Sequence, residues 1–82
     1  MQNKKADELN TELITLGNRI MSLIKEKGYA SVYQFWIHVA GDDFSRPALE
    51  KIVRGQSDPK FSTLLKLSRL LEIKISELLD IN

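Results

Sequence analysis

Apolar residues recur every three or four positions along most of the chain, a spacing that predicts helices throughout. The clearest stripe predicts a first helix over residues 7–27, with Gly28 as its stop. The apolar positions of this stripe are Leu9, Leu13, Leu16, Ile20, Leu23 and Ile24. No stretch shows the sustained apolar/polar alternation of a strand, so the fold class is expected to be all-α.

A second helix is expected to start after Ser31 and run to about Ala40, because Ser31 and Gln34 form a capping-box pattern and Gly41 follows as a stop. Its apolar residues cover most of its circumference. The predicted buried face comprises Val32, Phe35, Trp36 and Val39, whereas Tyr33 and Ile37 lie off that face.

After a turn at Asp42, Asp43 and Phe44, Ser45 is the predicted N-cap of a third helix that Gly55 ends. Further helices are expected over residues 61–71 and 76–80, after a loop that contains Pro59. The predicted buried residues of these three helices are Leu49, Ile52, Val53, Phe61, Leu64, Leu65, Leu67 (in part), Leu70, Leu71, Ile73, Ile75, Leu78 and Leu79.

Eighty-two residues are expected to form one domain, 1–82. The absence of cysteine excludes disulfides and thiolate metal sites and favours a reducing compartment. The start lacks the apolar core of a signal peptide, and no apolar run approaches the ~20 residues that span a membrane. We therefore expect a cytoplasmic protein that does not bind membranes.

The net charge is only +1, but the charges are unevenly distributed. Residues 1–44 carry five basic and six acidic side chains, whereas residues 45–69 carry six basic and two acidic ones, a local net of +4. Residues 70–82 sum to −2. Such a basic segment either attracts a phosphate backbone or is an ordinary solvated helix face.

The basic segment resembles the phage-repressor and Cro-type (XRE) helix-turn-helix family. The matching features are Ser45–Arg46, Arg54–Gly55, Pro59, the run STLLKLSRLLEI and the closing SELL. The resemblance covers about residues 16–79 and is tightest over 45–79. It implies a compact five-helix repressor-like DNA-binding domain with a helix-turn-helix unit over 31–55.

Two features depart from the family pattern. The family's Leu-Ala pair in the second helix is replaced by bulky residues near Trp36. The turn AGDDFS is about two residues longer than usual, and its Asp42 and Asp43 would repel phosphates if they point outward.

The resemblance implies that the third helix enters the major groove. The implied base-contacting residues are Arg46, Pro47, Ala48, Glu50 and Lys51. Arg46 is the best reader, because its planar fork can donate two hydrogen bonds to guanine. Glu50 could accept from cytosine or pair with Arg46 or Arg54 along the helix.

Phosphate contacts are expected from loop donors and helix starts, which position a protein on DNA without reading its sequence. The candidates are Ser31, Arg54, Gln56, Ser57, Lys60 and Ser62.

Other chemistry is weakly supported. His38 is the only histidine, and it is expected on the helix surface beside Gln34. Asp42 and Asp43 resemble a carboxylate pair, but no nucleophile accompanies them, so turn and capping roles are favoured. We expect no metal, no cofactor and no catalytic residue, and therefore no enzyme.

The first helix is longer than the family's, and residues 1–12 are interpreted as a helical extension. Its apolar residues Leu9, Leu13 and Leu16 either contact a second protomer, or the extension folds onto its own domain or frays at the end. The first functional hypothesis is a sequence-specific transcriptional regulator that binds double-stranded DNA as a homodimer on a two-fold operator. The alternative is a protein-interaction module, for example one that binds a partner as an antitoxin does, without strong DNA binding.

Overall fold

The computed structural model describes residues 4–81, with side chains from residue 8 onward. Five α-helices follow one another, and the described residues contain no strand. They are α1 (Lys4–Glu26), α2 (Val32–Phe35), α3 (Arg46–Val53), α4 (Phe61–Leu70) and α5 (Ile75–Leu78), with a π-helical turn (Trp36–Ala40) directly after α2. The expected all-α, five-helix architecture is confirmed, with boundaries that differ from the predicted ones by a few residues.

The core is formed by apolar side chains from all five helices and from the turns that follow them. The buried residues are Leu16, Ile20, Leu23, Ile24, Phe35, Ala40, Leu49, Ile52, Val53, Leu64, Leu67, Leu71 and Leu78. Since these residues lie at helical spacing, each helix presents one apolar side to a shared centre. Leu67, expected to be buried only in part, is fully enclosed.

Three residues predicted to be buried or part of the apolar stripe are exposed. Phe61 is 57% exposed, because it is the first residue of α4 and projects beyond that helix's buried side. Leu79 is 38% exposed: Leu78 occupies the buried direction of α5, and the next residue turns about 100° away. Leu9 is 47% exposed, because the first turns of the 23-residue α1 extend beyond the core.

The helices α1 and α3 touch through their backbones. A Cβ atom on Gly17 would lie 2.2 Å from the carbonyl oxygen of Val53, so only glycine permits this approach. On the other side of the contact, Gly55 has φ +72°, and a Cβ there would lie 2.7 Å from Cα of Ile14. The C-terminal end of α3 is therefore seated directly on α1, which fixes the position of the helix.

A side chain of α1 also holds α5. Nε and Nη2 of Arg19 donate hydrogen bonds to the carbonyl oxygen of Glu77 at 3.1 and 2.8 Å. The buried hydroxyl of Ser68 donates to the carbonyl oxygen of Leu65 at 2.7 Å, so this polar group is satisfied. The long α1 is thus the scaffold against which the short helices are placed.

Candidate nucleic-acid interface

The helix that precedes the basic segment begins at a capped end. Oγ of Ser31 accepts a hydrogen bond from the backbone N–H of Gln34 at 3.2 Å, as the capping pattern predicts. The side chain of Gln34 does not complete the box in the expected way: its Oε1 lies 3.2 Å from Nε2 of His38. His38 is therefore beside Gln34 on the exposed surface, as expected.

The long turn between the second helix and α3 is ordered by hydrogen bonds. The carbonyl oxygen of Ala40 accepts from the backbone N–H groups of Asp43 and Phe44 at 3.0 and 2.9 Å. Nε1 of Trp36 donates to the carbonyl oxygen of Phe44 at 2.8 Å. The bulky Trp36 and the lengthened turn, two separate departures from the family pattern, thus form one structural unit.

Helix α3 presents the predicted base-contacting residues to solvent. Ser45 caps the helix, since its Oγ accepts from the backbone N–H of Ala48 at 3.2 Å. Leu49, Ile52 and Val53 face the core. The side opposite to them carries four exposed residues and one half-buried residue, which are Arg46, Pro47, Ala48, Lys51 and Glu50.

Arg46 is held by two neighbours. Its Nε donates to Oε1 of Glu50 at 3.0 Å, so the Arg46–Glu50 pairing offered as one alternative is confirmed. Its Cζ also lies 4.5 Å from the centroid of the Tyr33 ring, a cation–π contact between α3 and α2. The Arg46 side chain nevertheless remains 51% exposed.

A cleft of about 680 Å³ lies beside the outer face of α3. It is bounded by the preceding turn, the α3–α4 loop and the start of α4. Three lysines (Lys51, Lys60, Lys66) and two aspartates (Asp43, Asp58) line it. Nζ of Lys66 lies 5.7 Å from the Phe44 ring centroid, which joins α4 to the turn. Anionic and cationic groups are therefore adjacent along this edge of the interface.

The predicted phosphate-contacting residues lie at helix ends and in the α3–α4 loop. Arg54 and Gln56 are exposed, and the backbone N–H of Gln56 donates to the carbonyl oxygen of Lys51 at 2.8 Å. Lys60 is the exposed N-cap residue of α4, and Ser62 follows it in the first turn. Ser31 and Ser57 are half-buried: the Ser31 hydroxyl caps α2, and Oγ of Ser57 is enclosed without a partner among the described residues.

The structure brings Tyr33, Thr63, Lys66 and Asp58 to the interface, although the sequence did not identify them as site residues. The sequence predicts only that Tyr33 lies off the buried face of the second helix. Its contact with Arg46 joins residues thirteen positions apart. The Arg46–Glu50 spacing is visible in the sequence, whereas the Tyr33 contact depends on the angle between two helices.

The described residues contain no group of three or more histidine, cysteine or acidic residues placed to hold a metal ion. None of the helices in the described part of the chain is both long enough and apolar enough to cross a membrane.

The geometry is that of a helix-turn-helix protein, with an exposed basic helix braced by its neighbours. The sequence profile of the Cro/C1-type helix-turn-helix DNA-binding domain matches residues 19–82. The chain therefore belongs to the Cro/C1-type helix-turn-helix family, which confirms the resemblance found from its sequence and supports a DNA-binding regulator.

A solved structure is also similar. The crystal structure of the restriction-modification controller protein C.AhdI from Aeromonas hydrophila matches with a TM-score of 0.70 and 28% sequence identity. The match covers 83% of this chain and 97% of that one. A comparison with curated protein sequences finds no significant match.

Proposed function

We propose that the protein is a sequence-specific transcriptional regulator that places α3 in the major groove of double-stranded DNA. We treat residues 1–82 as one domain and 31–55 as its helix-turn-helix unit. The exposed outer side of α3, with Arg46 at its start and Lys51 one turn further, is the observation that carries this proposal. Similarity to a restriction-modification controller protein supports a regulatory role.

Two sets of residues contact different parts of the DNA, one the base edges and the other the phosphates. Arg46, Pro47, Ala48 and Lys51 meet base edges, because they begin or line the outward face of the inserted helix. Arg54, Gln56 and Lys60 meet phosphates on one side, with Ser62 and the backbone of Ser57. The start of α2 at Ser31 supplies a further phosphate contact through its backbone amides.

The test of DNA binding is a titration of the protein against a labelled random duplex at about 50 and 200 mM salt. We expect clear affinity at low salt that falls as salt rises, because phosphate contacts release counterions. Arg54→Ala should weaken binding to all sequences and reduce the salt slope by about 1. The matched control Lys74→Ala removes the same charge outside the proposed contacts and should leave the slope unchanged.

We further propose that the regulator binds as a homodimer to half-sites roughly 34 Å apart. One module covers only about 600–1,000 Å² of protein surface on DNA, so a second copy supplies affinity. Leu9, on the first turns of α1 that extend past the core, is 47% exposed. Ile14, where α1 meets Gly55, is 50% exposed, and Leu13 between them is half-buried. Leu16 is buried in its own core, so the contact is restricted to the earlier turns.

Sedimentation equilibrium tests the dimer directly. Leu9→Glu should shift the protein toward monomer mass, because it places a charge in the apolar contact. Asn10→Glu, the same charge on the adjacent exposed position, should leave the mass unchanged. A wild-type protein that is monomeric at all concentrations would contradict this part of the proposal.

One observation favours the alternative function, a protein-interaction module. Ile37 and Phe61 are large apolar side chains that are 46% and 57% exposed. If the random-duplex titration shows no binding even at low salt, this alternative replaces the regulator.

A further inference from the structure

The Arg46 guanidinium is held from two directions by residues of different helices. Glu50, one turn later in α3, accepts from its Nε edge at 3.0 Å. Tyr33, in α2, presents its ring face to the guanidinium, with 4.5 Å between Arg46 Cζ and the ring centroid. Tyr33 itself is 40% exposed, so the contact forms at the surface, where DNA would meet it.

These two contacts restrict different degrees of freedom. The aromatic face keeps the guanidinium over the ring, because a cation is attracted to the face of an aromatic side chain. The carboxylate fixes which edge of the guanidinium faces the protein. Each contact alone is weak at an exposed site, but together they leave a long, flexible side chain with few conformations.

The remaining edge of the fork carries Nη1 and Nη2. Two parallel N–H donors match the O6 and N7 acceptors that guanine shows in the major groove. Adenine places an amino donor beside N7, so it cannot accept both bonds. We propose that Tyr33 and Glu50 are positioning residues that orient Arg46 to read a guanine end-on, which makes Tyr33 a determinant of base specificity. This inference rests on the proposed function.

The inference also assigns Glu50 a different role from the one its residue type first suggests. Its Oε1 is engaged by Arg46, and its side chain is only 28% exposed. It therefore acts through Arg46, and cytosine recognition by Glu50 is not required. Replacing Glu50 would remove a negative charge and raise affinity for all duplexes, so specificity must be measured as a ratio of affinities.

The experiment begins with a duplex selected from a random DNA pool by the wild-type full chain. Each guanine of a half-site is then replaced in turn by 7-deazaguanine, which keeps its base pairing but lacks N7. Wild type should lose about ten- to a hundredfold in affinity at one guanine. The factor by which affinity falls on this replacement is the 7-deazaguanine ratio, and Arg46→Ala should reduce it to one.

The positioning variants give the decisive comparison. Tyr33→Leu and Glu50→Met should reduce the 7-deazaguanine ratio to within about threefold of unity, while affinity for random duplex is retained in Tyr33→Leu and raised in Glu50→Met. Tyr33→Phe keeps the ring face and should preserve the wild-type ratio. Ile37→Ala is the matched control, because Ile37 is an exposed residue of the π-helical turn after α2 and offers neither a ring face nor a carboxylate, and this variant should also preserve the ratio.

The possible outcomes distinguish the positioning role of Tyr33 and Glu50 from the proposed DNA-binding function. If Tyr33→Leu retains the full ratio, or Tyr33→Phe loses it, the positioning role is wrong while the regulator stands. A wild-type protein that binds DNA but is insensitive at every guanine also overturns it. No binding of any duplex at low salt overturns the proposed function itself, and the inference with it.

Discussion

Individual residues differ in how far their sequence neighbours determine their role. The cap at Ser45 and the left-handed Gly55 were predictable, because each acts on backbone groups within three or four positions of itself. Phe61 and Leu79 were assigned wrongly, because helical spacing identifies a face but not where the covering element ends. By helix propensity alone Gly17 is a weak point in α1, whereas its missing Cβ is what admits the carbonyl of Val53.

The Gly17 contact gives a prediction about stability. Gly17→Ala should gain about 1 kcal/mol of helix propensity, yet we expect a net loss of about 1–3 kcal/mol in the free energy of unfolding. The reason is that a Cβ atom 2.2 Å from a backbone oxygen forces α1 away from α3. Urea unfolding measures the change, with Asn18→Ala, an exposed neighbour, as the control. A Gly17→Ala protein at least as stable as wild type would contradict the backbone contact.

The sequence predicted the helices more accurately than it predicted the turns that join them. Periodicity and capping residues located all five helices, because both depend on local backbone geometry. The π-helical turn at Trp36–Ala40 was not predicted, since its residues have the same apolar pattern as an α-helix. The hydrogen bond from Trp36 to Phe44 joins the π-helical turn to the turn before α3. This bond stabilises the turn that sets the start of α3.

That bond can be tested at the level of the element. Trp36→Phe keeps an aromatic ring but removes the donor, so the carbonyl of Phe44 loses a partner at 2.8 Å. We expect a loss of about 1–3 kcal/mol in the free energy of unfolding, from the lost bond and the smaller ring. Amide hydrogen exchange should also increase at Asp43 and Phe44, whose N–H groups hold the same turn. Tyr33→Phe is a suitable control, because it keeps the ring beside Arg46 and Trp36 and removes only the hydroxyl of an exposed side chain.

At the scale of the whole molecule, the distribution of charge matters more than its total. The sequence predicted a basic middle segment, and the structure places Lys51, Lys60 and Lys66 around one cleft. It could not predict that Asp43 and Asp58 line the same cleft, because that depends on how the lengthened turn and the α3–α4 loop approach each other. The candidate interface thus combines lysines that attract a phosphate backbone with carboxylates that repel it.

Because these carboxylates repel DNA phosphates, removing one negative charge from the cleft should raise the affinity for DNA. Asp43 is exposed and lines the lysine cleft, so Asp43→Asn should tighten binding to random duplex about two- to fivefold at low salt. The gain should shrink as salt rises, because exposed charges are screened over about 10 Å at 0.1 M ionic strength. Glu8→Gln removes the same charge from the first turns of α1 and should have little effect. Equal gains in the two variants would mean that net charge, and not the position of Asp43 beside α3, controls DNA affinity.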